Sequence, residues 1–194
     1  MMLILEFTLN LKAGLRLLAS LAALLVCSAA FAQQQPPPPP GAYDAAPYLG
    51  EIRNTYVYAD IWERPGLSPR DRSMITVAVN QALYATNELR LHMGRALDNG
   101  VTQAEISEII GHVLWYSGFP TGVNAARVAA EVFEERGLPT QPPGVSSRQP
   151  LVDPELEFPS AYPQTPYLRD LLNQVLYAET WERNELSPRD RSMI

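Results

Sequence analysis

Thiol chemistry is almost closed to this chain. Among 194 residues there is one cysteine, Cys27, and one lysine, Lys12. Both lie in an N-terminal stretch that reads as an export signal. Lys12 and Arg16 precede an apolar run, Leu17 to Ala32, that ends Ala30-Phe31-Ala32. A positive start, an apolar middle and a small-x-small end predict a secretory signal cut after Ala32, so the expected location is periplasmic or secreted. An uncleaved membrane anchor is the alternative, but the run is short against the ~20 apolar residues of a spanning helix, and no stable membrane insertion is expected after cleavage. Without residues 1–32 there is no disulfide, thiol nucleophile or thiolate metal site, and no lysine for a Schiff base. The remaining 162 residues carry 13 basic and 20 acidic side chains, a net charge of −7. That sign argues against nucleic acid as a partner. No G-x-S-x-G, phosphate-cradling glycine loop or dinucleotide fingerprint occurs. No stretch alternates with period two for long enough to be a strand, which leaves an all-α fold.

What is present begins with proline. Residues 33–44 open on Gln33-Gln-Gln followed by five prolines, a polyproline-type tether. Helical spacing then starts near residue 45, with Pro47 at a first helical position. Pro65-Gly66 ends that helix. Ser68-Pro69-Arg70-Asp71 opens the next with a capping box, and Met74, Ile75, Val77, Ala78, Val79 and Leu83 mark it as the central buried helix. A third helix is expected from about Asn87 to Asp98, closed by Asn99-Gly100. A fourth runs from the capping box Thr102–Glu105 to about Ser117. Gly118-Phe119-Pro120 is expected to break it, and a fifth runs from about Thr121 to Arg136. Residues 45–137 thus form one helical domain. Residues 138–166 hold eight prolines and read as a linker. Then the chain starts again: Tyr58–Ile75 recurs as Tyr177–Ile194, offset by 119 residues and identical at 14 of 18 positions. Such identity marks a duplicated unit. The copy, residues 167–194, reads as the start of a truncated second domain. A half-domain cannot bury a full core, so it is expected either to fold loosely or to borrow a partner surface.

Histidine is as scarce as cysteine. His92 and His112 are the only two, and each follows a glutamate by four residues, Glu88 and Glu108. On a helical wheel Glu88, His92, Arg95 and Asn99 flank the apolar face Leu89, Met93, Ala96 and Leu97. Glu105, Glu108, His112 and Tyr116 flank Ile106, Ile109, Ile110, Val113 and Leu114. A carboxylate one turn away can fix an imidazole tautomer and raise its basicity, as a general base requires. The same spacing also makes an ordinary surface pair, and two Glu with two His could in principle hold a metal. The spacing alone leaves these readings open. Every basic residue after the signal is arginine, suited to two-point contacts with carboxylates.

Taken in series, L-S-P-R-D-R-S-M-I-T-V-A-V from Leu67, E-L-R-L-H from Glu88, R-A-L-D-N-G-V-T from Arg95 and E-I-I-G-H-V-L-W-Y-S-G-F-P-x-G-x-N from Glu108 to Asn124 resemble the carboxymuconolactone decarboxylase family. The resemblance covers about Tyr48 to Gly137, and Tyr167 to Ile194 as the start of a repeat. It implies a compact helical bundle that assembles into trimers or hexamers, and a cofactor-free, metal-free lyase that removes a carboxylate from a small γ-lactone or related acid. By that similarity His92 and His112 are the proton-transfer candidates and Glu88 and Glu108 orient them. Arg72, Arg90 or Arg95, with Tyr116, would bind the substrate. The sister branch of alkylhydroperoxidase D type carries C-x-x-C before the equivalent of His92. Here those positions are Ala85 and Glu88, so the peroxiredoxin-type activity of that branch lacks its thiols. A non-catalytic oligomeric ligand-binding module is the remaining alternative.

Overall fold

The computed structural model describes Gly41 and residues 43–139 and 165–194. The expected signal, most of the tether and most of the linker lie outside these residues. Among the described residues all regular structure is helical, and no helix is long and apolar enough to cross a membrane.

The chain divides into two compact units, one ending at Ile61 and one running from Trp62 to Ile194. In the first, α1 (Pro47–Ile52) begins on Pro47, a position where a missing N–H is not felt. The single long helix expected here is interrupted: Arg53–Tyr58 widens into a π turn. Residues five apart then stack, and the Arg53 guanidinium sits 4.6 Å from the centroid of the Tyr58 ring.

The second unit contains α2 (Pro69–Ala82), α3 (Thr86–Asp98), α4 (Gln103–Ser117), α5 (Phe119–Glu135), α6 (Pro166–Leu171) and α7 (Pro188–Met193). Both expected capping boxes form. Ser68 and Thr102 accept bonds from the backbone N–H of Asp71 and Glu105, whose carboxylates return the bond to the capping residue's N–H. The α4–α5 break differs from expectation. Gly118 alone makes it, at φ 93°, and Pro120 lies in the first turn of α5, where proline is tolerated.

α2, α3, α5 and α4 form a ring in which each helix packs on its two neighbours, so α3 and α4 stand diagonally opposite. Met74, Val77, Leu89, Met93, Ile106 and Ile109 fill the centre without exposure. Val79 and Leu83, expected in the buried set of α2, are exposed instead, because only one side of α2 faces the ring. α4 and α5 approach closely where Gly122 meets Leu114.

Residues 165–194 fold onto this ring. α6 runs into a second π turn, Leu172–Thr180, which starts 119 residues after the first one at Arg53. Leu186 joins the core cluster, and Met193 and Ile194 pack against it. Of the two expected fates for the half-copy, the structure has the borrowed surface, and the surface is the chain's own.

Candidate active site

His112 sits on the inner part of α4, three residues after Ile109 and one before Val113, so its backbone is carried into the ring with the apolar face. Trp181, from the half-copy, meets the imidazole edge-on at 4.9 Å between ring centroids, and Tyr116 lies tilted at 5.4 Å. The Trp181 indole N–H donates to the Tyr116 hydroxyl over 3.2 Å. With this lid the histidine is only 2% exposed. Glu108, one turn back, is buried as well. Its carboxylate does not serve the imidazole. It accepts from Arg183 Nε at 2.9 and 2.8 Å and from Arg191 Nη2 at 3.1 Å. Arg191 is itself fully enclosed and also donates Nη2 to the Arg183 carbonyl at 2.7 Å. Its Nε and Nη1, like His112 Nδ1, are buried without a hydrogen bond.

His92, on α3, is partly buried, and its Nδ1 is likewise enclosed without a partner. Glu88 is exposed one turn back. Arg95, one turn on, lies 5.2 Å from the Trp62 ring centroid, a cation–π distance.

The glutamates were expected to raise the basicity of both rings; each does push that way, but burial outweighs it. Each imidazole is depressed from 6.5 to about 4, chiefly by burial. Arg95 beside His92 and Arg191 beside His112 push the same way, and Glu88 and Glu108 only partly oppose them. At neutral pH both rings are uncharged, each with an N–H donor and a bare nitrogen.

His92 and His112 stand on helices that lie diagonally in the ring, and among the described residues no ring contact joins them. Among the described residues no group of three or more His, Cys, Asp or Glu is placed to hold a metal ion. Of the arginines expected to hold a substrate, Arg90 is engaged by Glu131 and Glu135 on the outer face of α5. Arg72 donates Nη2 to the Arg64 carbonyl at 2.6 Å and keeps a buried, unbonded Nε. Tyr116 is exposed apart from its bond to Trp181. Sequence reasoning did not single out Trp181, Arg183 or Arg191 for the His112 site. The signal for them was the repeat itself, which placed the same residue types at 62, 64 and 72.

Residues 47–131 match the sequence profile of the carboxymuconolactone decarboxylase family. The chain is 40% identical over 83 residues to a 4-carboxymuconolactone decarboxylase of Acinetobacter baylyi, an alignment covering 43% of this chain and 62% of that protein. It is 33% identical over 85 residues to a nitrosuccinic acid decarboxylase of Metarhizium robertsii, covering 44% of this chain and 59% of the relative. The chain thus spans about three-fifths of each of these relatives.

Proposed function

We propose that the protein is an exported, cofactor-free carboxy-lyase with His92 at its reacting centre, a reading supported by the match of residues 47–131 to the carboxymuconolactone decarboxylase family profile. The two relatives act, by their names, on a carboxylated lactone and on a nitro-substituted diacid. Both compounds carry a carboxylate whose loss leaves an electron pair that a neighbouring acceptor, lactone or nitro, can take onto oxygen. The proposed substrate is therefore a small acid of that kind with a second carboxylate. The bond to the leaving carboxylate breaks, its electron pair moves onto the acceptor oxygen, CO2 departs, and a solvent-derived proton closes on the carbon. No cofactor is called for, because the substrate supplies the electron sink.

The observation that carries this reading is the His92 imidazole: partly accessible, neutral, with an enclosed unbonded nitrogen and Arg95 one turn away. A neutral ring N–H can stabilise charge gathering on the acceptor oxygen. The positive potential of Arg95 favours the second carboxylate. Arg72 is the alternative anchor. Glu108, bound by Arg183 and Arg191, takes a structural rather than base-preparing role, and His112 is a covered neighbour rather than a second reacting group.

The test is CO2 release from a γ-carboxylated lactone and from nitrosuccinate. His92→Ala is expected to lower kcat by about 10²–10³-fold with the helical signal unchanged, whereas His112→Gln keeps turnover within several-fold. Full turnover by the His92→Ala protein would sink the proposal. The second reading, a non-catalytic binding module, is favoured by one fact: the His112 site is closed by Trp181 and its carboxylate is spent on two arginines. It predicts ligand binding without turnover. Thiol peroxidase chemistry has no support, since Ala85 and Glu88 stand at the thiol positions.

A further inference from the structure

Glu108 serves its two arginines unequally. Arg183 reaches it with Nε over 2.9 and 2.8 Å and with Nη2 over 2.7 Å, and Glu185 stands 4.0 Å from the same guanidinium. Arg191 has a single bond to it, from Nη2 at 3.1 Å, and the other Nη2 hydrogen goes to the Arg183 carbonyl at 2.7 Å. The donors on Nε and Nη1 remain, and both nitrogens are enclosed without an acceptor. The guanidinium cannot swing out to water, because α7 is pinned on both sides of it. Arg70 donates to Asp190 over 3.1 Å and Arg189 to Asp71 over 2.9 Å, and Leu186 is fixed in the core. On the facing helix, His112 Nδ1 is also buried and unbonded. Arg191 acts on that ring more strongly than Glu108 does, so the imidazole lies on the positive side of the cluster. The arrangement recurs in the first copy. The equivalent residue, Arg72, holds the Arg64 carbonyl through Nη2 at 2.6 Å and has the same Nε enclosed and unbonded. Donors of a buried charged group are costly to leave unmade, and native folds answer them with an ordered water or an ion.

We propose that Arg191 and His112 together bind a small oxyanion of the carboxylate type, held in the interior between α4 and residues 181–194. Its oxygens accept from the free donors of Arg191 and from His112 in the tautomer that carries the proton on Nδ1. A water would satisfy those donors but would leave the guanidinium charge under-compensated, since Arg191 holds only a minor share of Glu108. Enclosure sets the size: Arg191 and His112 are almost without exposure, so the ligand is a bare carboxylate or its near relative, formate or bicarbonate, rather than an acid with a side chain. Trp181 and Tyr116 lie over His112 and are joined by a hydrogen bond, so that bond opens for the ion to enter and the indole reports the event. The inference does not depend on the catalytic reading, which rests on His92.

The test follows the unsubstituted full chain by NMR, through the arginine Nε–H signals and the His112 ring. Sodium formate or sodium bicarbonate is added against sodium chloride of equal ionic strength. Formamide, with the shape of formate and no charge, is the neutral control. The expected result is a saturable shift of the Arg191 Nε–H and the His112 ring at millimolar formate or bicarbonate, with a change in Trp181 emission and no response to formamide. The anion that binds more tightly identifies the source. Arg191→Lys keeps the charge and a donor for Glu108 but removes the Nε and Nη1 donors, and it is expected to weaken binding by about tenfold or more. An Arg191 Nε–H that neither anion moves overturns the proposal, as does a shift that formamide reproduces, because a neutral guest or water then accounts for the donors. Undiminished binding by folded Arg191→Lys chains overturns it as well. The signals of the unsubstituted protein decide the matter even where that variant does not fold.

Discussion

Neutral imidazoles held inside a fold tie stability to pH. Both rings titrate near 4 in the folded chain and near 6.5 when unfolded, so as pH falls the unfolded chain takes up protons first. Their stabilisation is intact above pH 6.5, declines between 6.5 and 4, and is lost below 4. By pH 5 the loss is about 2 kcal/mol for each ring. Urea unfolding at pH 7 and pH 5 should show it, and His112→Gln should remove about half of the difference. Asp71, held below the usual carboxylate range first by its bond to Arg189, adds its loss only at lower pH. Arg191→Met should raise the His112 titration midpoint in an NMR titration without restoring 6.5, because burial is the larger cause and remains. At this scale the two Glu-x-x-x-His pairs were legible, since four-residue spacing on an amphipathic helix is a local property. The sign of the basicity was not. It is set chiefly by burial in the folded ring, which no helical wheel shows, and at His112 also by Arg191, about 80 positions away in sequence.

Helix ends and helix contacts form the next scale. Thr102→Ala should cost about 1 kcal/mol in thermal or urea unfolding, because it strips the cap from the helix that carries Glu108 and His112. Gly122→Ala should cost more, roughly 1–3 kcal/mol. A Cβ there would come to 2.9 Å from Leu114 Cβ, an atom fixed to the α4 backbone that cannot swing away. A shift of α4 in its crossing over α5 is the expected response, visible as a changed His112 chemical environment. The capping boxes and the Asn99-Gly100 stop could be read in advance because capping is written in three or four adjacent residues. The turn after α2 could not. Tyr84 takes a left-handed backbone, φ 59°, with no glycine to announce it. The π turns are equally silent in composition, and only their recurrence at the same place in both copies shows that they are built in.

At the scale of the whole molecule, residues 165–194 and the ring should unfold together, since Leu186 lies in the shared core and Arg191 is enclosed by both. The Trp181 signal, taken as the difference between the native chain and Trp181→Phe, is expected to change at the same urea concentration as the helical signal. Two separated transitions would contradict a common core. The all-α class and the ring's buried faces followed from periodicity. The duplication was plain in the sequence, but its docking was not, because nothing in a repeat states whether its two copies touch.

The dipeptide Arg70-Asp71 is its own complement: set against a second Arg-Asp turned end for end, plus meets minus at both positions. It behaves as a palindrome written in charge. Reversing the order to Asp-Arg in one copy alone would set like charges face to face twice over, whereas reversing it in both would restore the match. Drift at this site is therefore tied between positions 119 residues apart. A change in either copy is tested at once against the other.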